Sequence, residues 1–190
     1  MNIRGSICRV EPITSLEAIS AIKFLLRNNH RDLAIFTVGI NTAFRASDLV
    51  KMTVGDFRGK VTGDCLMVRE KKTGKVRKIV LNNAVLSVVG PLITKRDGDY
   101  IFRSGFNDGD GPLRVETVSR LVKSWCRKVG LMGNYGSHSL RKTFGYMQRT
   151  QAGVDIPTLM TIFGHATQAQ TLAYLCIQQQ EITDVYMNEW

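Results

Sequence analysis

The stretch from Gly136 to Tyr174 holds the side chains best spaced to act together. It carries Ser137-His138-Ser139-Leu140-Arg141, then Phe163-Gly164-His165, then Tyr174 nine residues beyond the second histidine. Histidine and arginine three residues apart on a helix lie on one face, so His138 and Arg141 can converge on a single anionic group. Leu140, Phe144 and Met147 recur at helical spacing and read as the buried stripe of the same helix, which assigns the His138/Arg141 face to solvent or ligand. Taken singly, each residue has a bland reading. A lone histidine is more often a satisfied structural residue than a catalyst, and a lone arginine near a helix end is more often a cap or a surface charge. The chain has three histidines, and His30 stands apart from the other two.

The elements that must position these groups follow from caps and periodicity. Asp155-Ile156-Pro157 reads as a helix start, and Gly164 is placed to end that helix in a left-handed cap, which puts His165 at a sharp chain reversal. Thr167 to Gln170 caps a further helix that carries Tyr174 on its second turn. Upstream, Thr14-Ser15-Leu16-Glu17 opens a helix whose core face is Ile19, Ile22 and Leu26. Residues 31–42 are apolar almost all round, the mark of a central buried helix, and Arg45 follows directly. A guanidinium so placed needs an anionic or hydrogen-bonding partner, because burying it alone is costly.

Residues 66–68 and 79–81 flank the turn Lys71-Lys72-Thr73-Gly74-Lys75, the pattern of a β-hairpin with a cationic tip. A preceding strand is predicted around Val54–Phe57. A helix is predicted over 82–93, a Gly/Asp-rich surface loop over 103–112, and an amphipathic helix through Val118, Leu121, Val122, Trp125 and Val129. The sum is a mostly helical α+β domain with a small antiparallel β-sheet.

Composition narrows the partner. The chain has 190 residues, 44% of them hydrophobic, enough for one domain with a real core. Its 26 Lys and Arg outnumber 16 Asp and Glu, giving a formal charge of +10 that favours a polyanionic partner. Cys8, Cys65, Cys126 and Cys176 are scattered without C-x-x-C spacing, so neither a zinc ribbon nor a disulfide framework is suggested. No apolar run reaches the roughly 18 residues of a membrane span. A cytoplasmic, nucleoid-associated protein is the expectation.

The order H-x-x-R, F-G-H and tyrosine resembles the C-terminal catalytic domain of the tyrosine recombinases, the phage integrase family. Upstream, Thr42-Ala43-Phe44-Arg45-Ala46-Ser47-Asp48-Leu49 looks like that family's first arginine box, and Lys71 to Lys75 looks like its lysine-bearing hairpin turn. The resemblance covers residues 14–176, between an N-terminal segment at 1–13 and a tail at 177–190. The tail, with Ile182, Val185, Met187 and Trp190, is expected to pack in cis as a final helix or on a neighbouring subunit. Larger members carry a helical DNA-clamping domain ahead of the catalytic one. This chain is therefore expected to be either a fragment or a short recombinase, similar in length to the fimbrial phase-variation recombinases.

The resemblance implies a site-specific recombinase acting on double-stranded DNA through a covalent 3′-phosphotyrosine. It further implies a multimer on paired sites, accessory DNA-bending proteins, and no metal or other cofactor. Tyr174 would be the nucleophile, with Tyr186 as its rival. Arg45 and Arg141 would hold the non-bridging oxygens, each guanidinium donating paired hydrogen bonds. His138 would accept the phenolic proton or bond a phosphate oxygen, and His165 would donate to the same phosphate. Lys72 would protonate the leaving 5′ oxygen, while Lys71, Lys75 and Lys142 would contact DNA. Two alternatives stay open: type IB topoisomerase-like nicking and religation, and a DNA-binding regulator that keeps the fold without catalysis. The lysine assignment has its own test. Replacing the bridging 5′ oxygen with sulfur supplies a better leaving group, so Lys72→Ala should be severely slow on ordinary DNA and largely restored on the sulfur-substituted strand. Equal slowing of both substrates would make Lys72 a phosphate contact instead.

Overall fold

Five helices begin at a side chain that accepts an otherwise orphaned backbone N–H: Ser15, Asn29, Asn82, Asp155 and Thr167. A computed structural model describes residues 10–69, 74, 76–94, 96–104, 111–176, 183, 186–187 and 189. In chain order its elements are α1 (Leu16–Leu26), α2 (His30–Thr42), α3 (Ala46–Leu49), α4 (Val54–Phe57), β1 (Cys65–Arg69), β2 (Val76–Val80) and α5 (Asn83–Val89). A 3-10 turn at Gly90–Leu92 follows, then α6 (Val115–Lys128), α7 (Ser137–Thr150), α8 (Ile156–Phe163) and α9 (Gln168–Leu175). The mostly helical α+β architecture read from the sequence is the one observed.

α2 is the central element, packed against α1, α3, α5 and α7. Its Ala34, Ile35, Phe36 and Val38 are all fully buried, as the all-round apolar pattern requires. Phe36 meets Trp125 of α6 edge-on at 6.1 Å, which closes the main core. β1 and β2 form an antiparallel hairpin in register from Cys65 opposite Val80 to Arg69 opposite Val76. The strand expected at Val54–Phe57 is instead the single helical turn α4. Asp56 accepts hydrogen bonds from both the backbone N–H (2.8 Å) and the hydroxyl (3.0 Å) of Thr53, a capping box that closes the turn before an extended segment can pair. The extended contact falls one residue earlier, where Thr53 bridges Tyr100.

A second, smaller core lies beneath α7, α8 and α9, built on Leu159, Phe163 and Leu175 with Ala43 and Ile156. α7 approaches it through Gly145. A methyl group there would stand 2.5 Å from both Phe163 Cζ and Leu175 Cδ2, so only glycine allows this spacing. Gly145→Ala therefore sets two effects against each other. Helix propensity favours alanine by about 1 kcal/mol, whereas overpacking costs about 1–3 kcal/mol. The expected net result is a lower urea midpoint at unchanged slope, and a higher midpoint would mean that α8 and α9 dock loosely.

Candidate active site

The Arg141 guanidinium binds the ends of two helices. Nη1 donates to the carbonyl oxygen of Ala43, at the C-terminus of α2, and Nη2 donates to that of Phe163, the last residue of α8, at 2.9 Å. Ala43 and Gly164, the residues that cap these helices, both adopt left-handed conformations with φ of 54° and 64°. Each turn exposes carbonyls at the negative end of a helix dipole, a favourable place for a cation. This corrects one expectation from the sequence. The His138/Arg141 face is not left open as a whole: His138 is exposed, but Arg141 is only 3% exposed. The helix-end carbonyls replace the water that its charge would otherwise keep.

The α8–α9 corner is the predicted one. Asp155 caps α8 with Pro157 in its first turn, Gly164 ends it, and Thr167 caps α9. His165 sits half-buried at the reversal, its Nδ1 3.0 Å from the hydroxyl of Thr171. Its ring stacks on Phe163 at 5.3 Å and 27°. Tyr174 closes the group, with its ring 5.1 Å from His165 and 5.3 Å from Phe163. Arg141 Cζ lies 4.9 Å from the Phe163 ring centroid. Arg141, His165 and Tyr174 thus share Phe163 as a common wall, and the Tyr174 hydroxyl is shielded from solvent.

Arg45 precedes α3 in extended conformation and is half-buried. Its charge reaches both histidines. The protein packed beneath the His138 ring, followed by the charges of Arg141, Lys142 and Arg45, holds that imidazole below its ordinary pKa. His165 is lowered in the same way, by burial first and then by Arg141 and Arg45. Arg141, His165 and Tyr174 therefore pack on one ring, and the charges of Arg45 and Arg141 reach both His138 and His165, which ties the five predicted residues together electrostatically. Among the described residues, no group of three or more His, Cys, Asp or Glu could hold a metal ion.

This cluster sits within a match to the model of the phage integrase family that spans residues 13–181. The chain belongs to the phage integrase family. It is 34% identical over 181 residues to "Probable integrase/recombinase YoeC" of Bacillus subtilis (strain 168), covering 93% of this chain and 95% of that protein. It is 28% identical over 163 residues to "Tyrosine recombinase XerC" of Caldanaerobacter subterraneus subsp. tengcongensis, covering 81% of this chain but only 43% of XerC. In fold it is similar to the crystal structure of XerA recombinase, with a TM-score of 0.75 at 22% identity over 95% of this chain and 67% of that one. The chain thus spans nearly the whole of one phage integrase relative and less than half of another.

Other predicted residues lie elsewhere in this phage integrase chain. Lys71, Lys72 and Lys75 fall outside the described residues. β2, which leads out of that segment, is anchored beside the site, where Arg77 donates to the carbonyl of Ile162 in α8. Lys142, expected as a DNA contact, is only 6% exposed. Its Nζ lies 4.9 Å from the centroid of the Tyr174 ring and 3.5 Å from Cys176 Sγ, so in this arrangement it faces the tyrosine. Tyr186, the rival nucleophile, is 84% exposed. No helix among the described residues is long and apolar enough to cross a membrane.

The sequence reading passed over Thr171 and the wall role of Phe163. A threonine inside a helix, three residues before a tyrosine on the same face, was the available signal for the first.

The depressed histidines fix the sign of a pH effect. Below the ordinary imidazole value the folded state binds fewer protons than the unfolded chain, so stability should rise with pH through that range and level off above it. Arg45→Gln removes one cation acting on both rings. Both imidazole pKa values should then move up in an NMR titration, and an unchanged pair would put the Arg45 charge out of their reach.

Proposed function

We propose that the chain is a site-specific DNA recombinase that breaks and rejoins double-stranded DNA through a phosphotyrosine. The reading is carried by one observation: Arg141, His165 and Tyr174, from three separate chain segments, meet on the ring of Phe163, with the charge of Arg45 acting on both His165 and His138. In the proposed step, Tyr174 Oη attacks the scissile phosphorus and loses its proton, with His138 as acceptor. The bond to the 5′ oxygen breaks and its electron pair leaves with that oxygen, which takes up a proton. Lys72, in the segment that joins β1 to β2, is the proposed donor. The product is a 3′-phosphotyrosyl linkage and a free 5′ hydroxyl. Attack by a 5′ hydroxyl from another strand reverses the chemistry and releases Tyr174.

Arg45 and Arg141 stabilise the charge that builds on the non-bridging oxygens, and His165 adds a further donor. Removal of one such preorganised donor costs on the order of 3 kcal/mol. Two helix ends hold the Arg141 charge in place before the phosphate arrives. DNA as the partner fits the formal charge of +10. Recombination further requires several copies on paired sites, whereas a nicking-religating topoisomerase acts as one subunit. A regulator that only binds has no use for a tyrosine enclosed by phosphate-binding groups.

The test begins with a pool of random-sequence duplexes, each with a nick, from which adducts that survive denaturation are recovered to define the site. Tyr174→Phe should abolish the adduct on that site and leave salt-dependent DNA binding nearly intact, since it removes a nucleophile and no positive charge. An adduct retained by Tyr174→Phe would move the role to another tyrosine, and absence of any wild-type adduct would overturn the recombinase reading.

A further inference from the structure

Thr171 is fully buried on α9, one turn ahead of Tyr174, and its hydroxyl has two neighbours. His165 Nδ1 lies 3.0 Å away, and the carbonyl oxygen of Thr167 lies 3.5 Å away. A threonine hydroxyl has one hydrogen to donate. Hydroxyl-to-oxygen bonds cluster at about 2.7–2.8 Å, so the contact to Thr167 is at the edge of the range. That carbonyl also accepts the backbone N–H of Thr171, at 3.3 Å. The shorter contact, and a Thr167 carbonyl already engaged by the backbone, favour Nδ1 as the acceptor of that hydrogen. A neutral imidazole that accepts at Nδ1 carries its own proton on Nε2.

We propose that Thr171 is a positioning residue that locks His165 in the Nε2–H tautomer, so that the neutral ring presents a donor to the phosphate. The functional half of this inference rests on the recombinase reading; the tautomer itself does not. The opposite tautomer would turn a lone pair toward an anion and repel it. A fully protonated ring would donate from both nitrogens and would need no such lock. Burial and the nearby arginines hold His165 below its ordinary pKa, which keeps the ring neutral at pH 7 and makes the choice of tautomer consequential. Stacking on Phe163 fixes the ring plane, and Thr171 fixes which edge of the ring carries the hydrogen.

Long-range proton–nitrogen correlation spectra of the full chain at about pH 8, above the imidazole range, read this directly. His165 signals are assigned with a His165→Gln variant. The expected wild-type pattern is a protonated Nε2 and a bare Nδ1. Thr171→Val, nearly isosteric but without the hydroxyl, should shift the pattern toward a mixture of tautomers, and Thr171→Ser should restore it. A wild-type proton on Nδ1 would overturn the inference, as would an unchanged pattern in a folded Thr171→Val protein. Should the valine variant fail to fold, the wild-type and serine spectra still decide. On nicked duplex carrying the selected site, Thr171→Val should slow adduct formation about tenfold, the scale of one lost hydrogen bond, at unchanged DNA affinity. Slowing without a tautomer change would make Thr171 merely structural. A wild-type protein with the expected tautomer but no adduct would sink the recombinase reading and leave the tautomer assignment standing.

Discussion

A single buried guanidinium holds this structure's chemistry to its architecture. Arg141 joins the C-terminal carbonyl of α2, the central helix of the main core, to that of α8, the helix under the smaller core. Both contacts fall at left-handed caps, so the two helices end where their carbonyls can converge on one cation. The charge is stabilised by two helix dipoles, and the two cores are held in one spatial relation. Breaking the arrangement would leave a desolvated charge, which is costly, so the geometry at Arg141 is kept rigid by the same forces that fold the domain.

From that point the rest of the site follows by short chain connections. The α8 cap at Gly164 is followed at once by His165, and Thr167 restarts the chain as α9 so that Tyr174 returns over Phe163. Arg45 arrives from the other joined helix, just past Ala43. Groups far apart in sequence thus depend on two adjacent helix ends. Positive charge accumulates there without further binding sites being built, and it adds to burial in lowering both imidazoles.

What the sequence made legible was whatever depends on local rules. The caps at Ser15, Asp155 and Thr167, the left-handed Gly164, the hairpin and the buried α2 are all written in short patterns, and the structure contains them. Where a local pattern had a stronger competitor, the reading missed. The apolar look of Val54 and Phe57 suggested a strand, but Thr53 and Asp56, each directly before one of them, close a helical turn through two hydrogen bonds. The polar face of α7 suggested solvent or ligand, yet Arg141, Lys142 and Thr143 are buried because their partners come from the ends of α2, α8 and α9 and the segment ahead of α1. Such partners are long-range, and periodicity along one helix carries no trace of them. Motif order singled out Arg141, His165 and Tyr174, which meet on Phe163; the burial of Arg141 and the contact between Lys142 and Tyr174 required the fold.

Phe163 stands where three candidate site side chains lean on one ring, with Phe144 edge-on behind it at 6.3 Å. It has no group able to donate, accept or attack. A survey that ranked positions by lost activity would nonetheless score it with the catalytic set, and a survey that ranked them by lost stability would score it with the core. It belongs to both classes, because the face that packs Leu159 and Leu175 into one cluster and the face that seats His165 and Tyr174 are parts of one flat side chain. Altering the reactivity of this site by redesigning its floor would therefore mean redesigning a hydrophobic core at the same time.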